Sequence, residues 1–134
     1  MLKPTILNIL FYWLVKYKIF YVLMMSKTKN YALIALGDLK TGEDWFYYLL
    51  IFLFLPVVCM LVFSAPMYFA FKSKSMFYFS TIIVVILIVE YLFYTWSASQ
   101  TDLMNGVYNV IISILFLLLF FFRNINSLHT QNTQ

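Results

Sequence analysis

The chain has 134 residues, of which 64% are hydrophobic and only 10% charged, with a formal charge of +4. A soluble domain carries about 25% charged residues, so this chain cannot cover itself with a hydrated surface, and lipid must be the solvent for most of it. Nine basic residues scattered along an apolar chain are expected to flank membrane spans, whereas nucleic-acid binding wants a concentrated basic face.

Residues 5–25 form the first apolar segment, and three readings of it compete. It is a transmembrane helix if Thr5, Asn8, Tyr12 and Lys16 make one polar stripe at helical spacing. It is an interfacial amphipathic helix if Lys16 and Lys18 snorkel to the headgroups. It is half of a hairpin if residues 19–25 pair with 31–36, which leaves an edge that lipid cannot satisfy. The segment is too long and too aromatic for a cleaved signal and no small-x-small site follows, so insertion is expected to use the helices themselves.

Three later segments span by length, since about 20 apolar residues cross the hydrocarbon. Residues 45–71 carry no formal charge, 76–96 carry one, Glu90, and 103–122 are uncharged and closed by Arg123. Thr41-Gly42-Glu43-Asp44 and Ser99-Gln100-Thr101-Asp102 read as capping boxes before the first and third of these. Lys72 and Lys74 lie in a connection short enough for a tight helical hairpin. Trp45, Tyr47, Tyr48, Tyr91, Tyr94 and Trp96 fall near span ends, where amphipathic rings prefer to sit. Pro56 and Pro66 should bend the 45–71 helix, with Ser64 and Ala65 placed to relieve the break at Pro66. Residues 124–134 read as a short frayed tail. The fold class is therefore an all-α membrane bundle of three to four transmembrane helices in a single domain, 1–134. Hydrophobic length prefers four spans. The positive-inside rule prefers three, because Lys3, Lys16, Lys18, Lys27, Lys29 and Lys40 then face Lys72, Lys74 and Arg123.

Glu90 stands out, because a carboxylate within a span is a functional candidate by default. With four spans it lies about 21 Å from the start of its helix and Lys18 about 20 Å from the start of the first, with Lys16 about 3 Å lower. A buried ion pair is then within reach. The competing roles for Glu90 are structural pairing, proton or ion handling, and snorkelling to the interface. Asn105, Asn109 and Ser113 recur every four residues and share one helix face, suited to packing within the bundle or to contact with another subunit. Gly106 is the only glycine in a span, so small-residue faces are scarce. Phe and Tyr make 26 residues, whose bulk suits packing against a partner.

Enzyme chemistry is not expected, because no nucleophile elbow, phosphate loop, zinc spacing or paired cysteine is present. Cys59 is a lone cysteine in an apolar run and His129 a lone histidine in a polar tail, so neither a disulfide within the chain nor a metal site is expected, and no cofactor. Ser75-Met76-Phe77-Tyr78-Phe79, the apolar run to Glu90, and Trp96-Ser97-Ala98-Ser99-Gln100-Thr101-Asp102-Leu103 resemble the second and third helices of subunit 3 of respiratory complex I. The likeness covers about residues 75–122, and the family's long first loop with its Glu-Cys-Gly motif is missing. More broadly the chain resembles small, Phe/Tyr/Ile-rich, organelle-encoded-type subunits of respiratory complexes, which implies a scaffolding role in a mitochondrial or bacterial inner membrane; a small bacterial inner-membrane protein would look much the same. The expected function is accordingly a non-catalytic subunit whose partners are the bilayer and a larger membrane complex. Its contacts would be the bent face of 45–71 and the Asn105/Asn109/Ser113 line. The alternatives are an oligomeric proton or ion transporter using Glu90, modulated by Lys16 or Lys18, and an immunity or holin-like membrane protein.

Overall fold

Within hydrocarbon every backbone N–H and C=O must find a partner in the protein, which makes the helix the form a long apolar segment takes. The computed structural model describes residues 2–28, 39–96 and 102–131, and the regular structure in them is entirely helical. The elements are α1 (Ile6–Thr28), α2 (Gly42–Leu49), a π turn (Leu50–Phe54), α3 (Leu55–Lys72), α4 (Met76–Trp96) and α5 (Leu103–Gln131). Three of them, α1, α4 and α5, are long and apolar enough to cross a membrane. The apolar helix Pro56–Lys72 is shorter, but it continues back through the π turn into α2 as one helical path. The chain is an all-α integral membrane protein.

Four helices close a ring in the order α1, α3, α4, α5, each packed on its two neighbours. Successive neighbours run antiparallel. Leu2 N–H donates to the Phe120 carbonyl at one end of the α1–α5 pair, and Lys27 lies 3.7 Å from Asp102 at the other. Phe71 on α3 meets Phe79 on α4 across their tight hairpin, ring centroids 4.8 Å apart. Consequently α1 and α4 run parallel and face each other across the bundle.

The placement of α1 decides among the readings of 5–25. Ile9, Tyr12, Trp13, Lys16, Tyr17, Phe20 and Met25 are buried, a 3–4 spacing that turns one face of the helix into the interior. An interfacial helix would leave that face in the headgroups. The hairpin fails as well, since residues 19–25 are helical; residues 31–36 lie outside the described chain.

Helix ends show the local chemistry that starts them. Asp44 N–H donates to Thr41 Oγ1 at 3.1 Å, and Asp44 Oδ2 accepts from the Thr41 N–H at 2.8 Å, a reciprocal capping box with aspartate as its acid. The second box falls on residues 99–101, outside the described chain. Asp102 itself caps α5, accepting from Met104 N–H at 2.9 Å. Thr5 caps α1 through Asn8 N–H at 3.3 Å, and the Asn8 amide donates to the Lys3 carbonyl at 2.8 Å. The polar stripe of 5–25 is thereby divided, with Thr5 and Asn8 finishing the helix end and Tyr12 and Lys16 turned inward.

Other expectations need correction. The break in 45–71 is a π turn just before Pro56. Proline has no N–H for the Phe52 carbonyl, and a change of helical type there absorbs the mismatch. Ser64 does not serve the carbonyl freed by Pro66, that of Val62, but donates to the Met60 carbonyl. Residues 124–131 are no frayed tail. They extend α5, with Leu128 buried, Ile125 against the core, and the Asn124 amide donating to the Leu2 carbonyl at 2.7 Å. Tyr94 does not sit in an interfacial belt; it is buried, with its ring 4.8 Å from Phe20 and 5.9 Å from Tyr17. The side chain of Tyr47 lies outside the described residues.

Scarce glycine does not prevent close helix approach. A Cβ on Gly106 would stand 2.8 Å from the Tyr91 carbonyl and 2.7 Å from Tyr91 Cδ2, so α4 and α5 meet almost backbone to backbone there. Aromatic rings fill the rest. Trp13 stacks on Tyr17 at 5.7 Å and packs on Phe63 at 5.5 Å, while Phe71 reaches Phe121 at 5.1 Å. With lipid as apolar as the core, such contacts and interior hydrogen bonds, rather than hydrophobic exclusion, hold the helices together. Much of the chain's aromatic bulk thus lies inside its own bundle.

Candidate functional site at Glu90

Glu90 belongs to the inner stripe of α4, in line with Phe79, Ile86 and Tyr94. Val84, Val85, Ile88 and Val89 are exposed on the opposite side and face lipid. Because the rest of α4 is apolar all round, only the acid marks in its sequence which side faces in.

Across the bundle, Lys16 Nζ forms an ion pair with Glu90 Oε1, both side chains fully buried. Tyr17 OH donates to the same oxygen at 2.7 Å. Ser113 Oγ on α5 lies 3.1 Å from Glu90 Oε2 and 2.8 Å from the Asn109 carbonyl, so its one proton is shared between two acceptors. Tyr12 OH donates to the Ser113 carbonyl at 3.0 Å, fixing α1 to α5 beside the pair. The ammonium also lies 4.4 Å from the Tyr17 ring centroid and 4.8 Å from that of Trp13, a cation–π arrangement that gains strength out of water. One buried negative charge thus meets one positive charge and two hydroxyl donors. Removing two charges from water is offset only with such added hydrogen bonds.

Depth along the helix favours Lys18 as the partner, but the structure uses Lys16. Residues two apart on a helix differ by about 200°, so only one of the two lysines can face Glu90. Lys16 shares the inner face with Tyr12, Trp13 and Phe20. Its long side chain covers the 3 Å difference in depth. Lys18 instead lines a shallow apolar cleft with Leu14, Leu53, Pro56, Val57 and Met60.

Asn105, Asn109 and Ser113 all turn inward, at 7%, 0% and 1% exposure. Their line packs within the bundle, so contact with another subunit through it is closed off. Near the ion pair the polar interior exceeds what the described side chains satisfy. Both amide atoms of Asn109, the hydroxyl of Thr95 and the indole N–H of Trp13 are buried with no hydrogen-bond partner among the described residues.

Tyr17, Trp13 and Thr95 were not singled out from the sequence. The signal for the first two is present as doublets, Tyr12-Trp13, Lys16-Tyr17 and Phe20-Tyr21, repeating every four residues and so stacking on one face. Thr95 has no such mark in an apolar helix. Among the described residues no three His, Cys, Asp or Glu side chains gather where a metal could be held. Cys59 is buried, and His129 lies in the last turn of α5. Chemically, the arrangement can pin three helices, α1, α4 and α5, in register, or hold a proton between Glu90 and its donors. No protein-family model, curated protein or solved structure matches the chain.

Proposed function

We propose that this protein is a non-catalytic membrane subunit that packs against a larger membrane-protein assembly through the arm formed by residues 42–54. The observation that carries the reading is the position of that arm. α2 packs chiefly on the π turn that continues it, leaving Trp45, Phe46, Leu49, Leu53 and Phe54 exposed. The path 42–72 is about 46 Å long, more than the roughly 30 Å of hydrocarbon, so lipid tails alone do not cover the whole of this apolar arm. π turns, moreover, recur at functional positions in helices. Glu90, for its part, is held by donors of its own chain, which fits a register pin. The likeness to complex I subunit 3 supports an energy-transducing inner membrane as the setting.

The test is a photo-crosslinking residue at Phe46 or Leu49 in native membranes, followed by mild-detergent purification. One larger protein captured in a fixed ratio is the expected result. A chain that purifies alone or as a homo-oligomer, with no adduct, overturns the reading.

A second reading has one observation in its favour. The unsatisfied polar atoms of Asn109, Thr95 and Trp13 around the pair suit an oligomer that moves protons or ions past Glu90. Flux through the reconstituted chain that disappears in Glu90→Gln would establish it in place of the first.

A further inference from the structure

The end of the bundle formed by the start of α1, the hairpin between α3 and α4, and the end of α5 gathers Lys3, Lys72, Lys74 and Arg123, all exposed. Tertiary contacts hold these four together. Leu2 bonds to Phe120 and to Asn124, which places Lys3 beside Arg123. Phe71 packs on both Phe79 and Phe121, which ties Lys72 and Lys74 to the same rim. Among the described residues no acid lies at this end. Glu43, Asp44 and Asp102 lie at the opposite end, where Asp102 pairs with Lys27, and Glu90 is enclosed.

A second observation comes from the hairpin itself. Lys74 has φ 54°, the one positive φ on a non-glycine residue in the described chain. Glycine or asparagine takes that left-handed conformation more easily. The hairpin thus places a cation where its geometry favours a small residue, a local strain that turns attention to the charge.

We propose that this end is a rim that binds the phosphate headgroups of anionic phospholipids in the leaflet it faces. Four cations without a neighbouring acid, set where the apolar helices end, match a layer of phosphates in position and charge. This rim is at the opposite end from the 42–54 arm and does not depend on what that arm contacts.

The full chain in mild detergent, offered equal phosphatidylglycerol and phosphatidylcholine, is examined by native mass spectrometry for retained lipid. The wild type should retain phosphatidylglycerol preferentially. Neutral Lys72→Gln, Lys74→Gln and Arg123→Gln should each weaken that preference by about fivefold, while Lys27→Gln at the other end should not. Lys74→Gly separates charge from folding, because it relieves the backbone yet removes the cation; it should raise thermal stability and lower the lipid preference together. Equal retention of both lipids by the wild type overturns the proposal, as does an equal loss in Lys27→Gln. Displacement of the lipid by an equal concentration of inorganic phosphate would mark a free-anion site and overturn it too.

Discussion

Lys16 and Glu90, 74 positions apart in sequence, meet at the centre of the bundle from helices that face each other across it. Neither helix is the other's main packing neighbour. Together with the Tyr17 hydroxyl on Glu90 and the Tyr17 and Phe20 rings on Tyr94, the pair sets the relative height of α1 and α4, and Ser113 and Tyr12 extend that constraint to α5.

Removing one partner leaves a buried charge alone. Lys16→Met and Glu90→Leu are each expected to destabilise the bundle by about 3–5 kcal/mol, whereas the double variant recovers most of that loss. Lys18→Met, away from the pair, should change little. Denaturation of all four in the same detergent measures this; a Lys16→Met chain as stable as the wild type would remove the pair from the structural account.

The contact at Gly106 makes a steric test. Gly106→Ala puts a methyl group against the Tyr91 carbonyl and ring and the Thr95 hydroxyl. Because backbone is among the atoms met, the helices must part, at a cost of about 1–3 kcal/mol. Thermal unfolding should show it, with Gly42→Ala, which meets nothing within 4 Å, as the comparison.

Asn109 offers a change with the opposite sign. Its amide is buried without a partner among the described residues, so Asn109→Leu, similar in size and free of polar atoms, is expected to stabilise the fold by about 1–3 kcal/mol. Destabilisation on the same melting assay would mean that the amide holds something in the native membrane protein, and would favour the ion-handling reading.

The capping box gives a pH dependence. Hydrogen bonds from the Thr41 hydroxyl and N–H hold the Asp44 carboxyl below its ordinary value of 3.8. A depressed carboxyl stabilises the fold above its unfolded value and loses that contribution as pH falls through the folded one. The protection of α2 amides relative to their intrinsic exchange at the same pH should therefore be full at neutral pH and fall below about pH 4, and Thr41→Val should abolish the difference. A protection factor in α2 that stays constant through that range would show the box to be idle.

Much of the architecture is legible in the chain. Apolar runs at 76–96 and 103–122, the Thr41–Asp44 box and the lysine-flanked hairpin each rest on local chemistry, because length, capping and turn preference act within a few residues. Glu90 is visible too, since an acid in a lipid-facing stretch cannot be ordinary. The choice between Lys16 and Lys18 is not local. Their depths differ by about 3 Å, less than a lysine side chain spans, so only the rotation of α1 decides, and packing of Tyr12, Trp13, Tyr17 and Phe20 fixes that rotation.

Composition by itself made this a helical membrane protein, because a chain with 10% charged residues has no solvated form to adopt. Tertiary structure decided how the faces marked by the α1 doublets, by Glu90 and by the Asn105/Asn109/Ser113 line meet, and which lysine reaches the acid. Where a helix is apolar on every side its sequence carries little signal for rotation, so ring packing, the approach at Gly106 and one buried ion pair completed the choice.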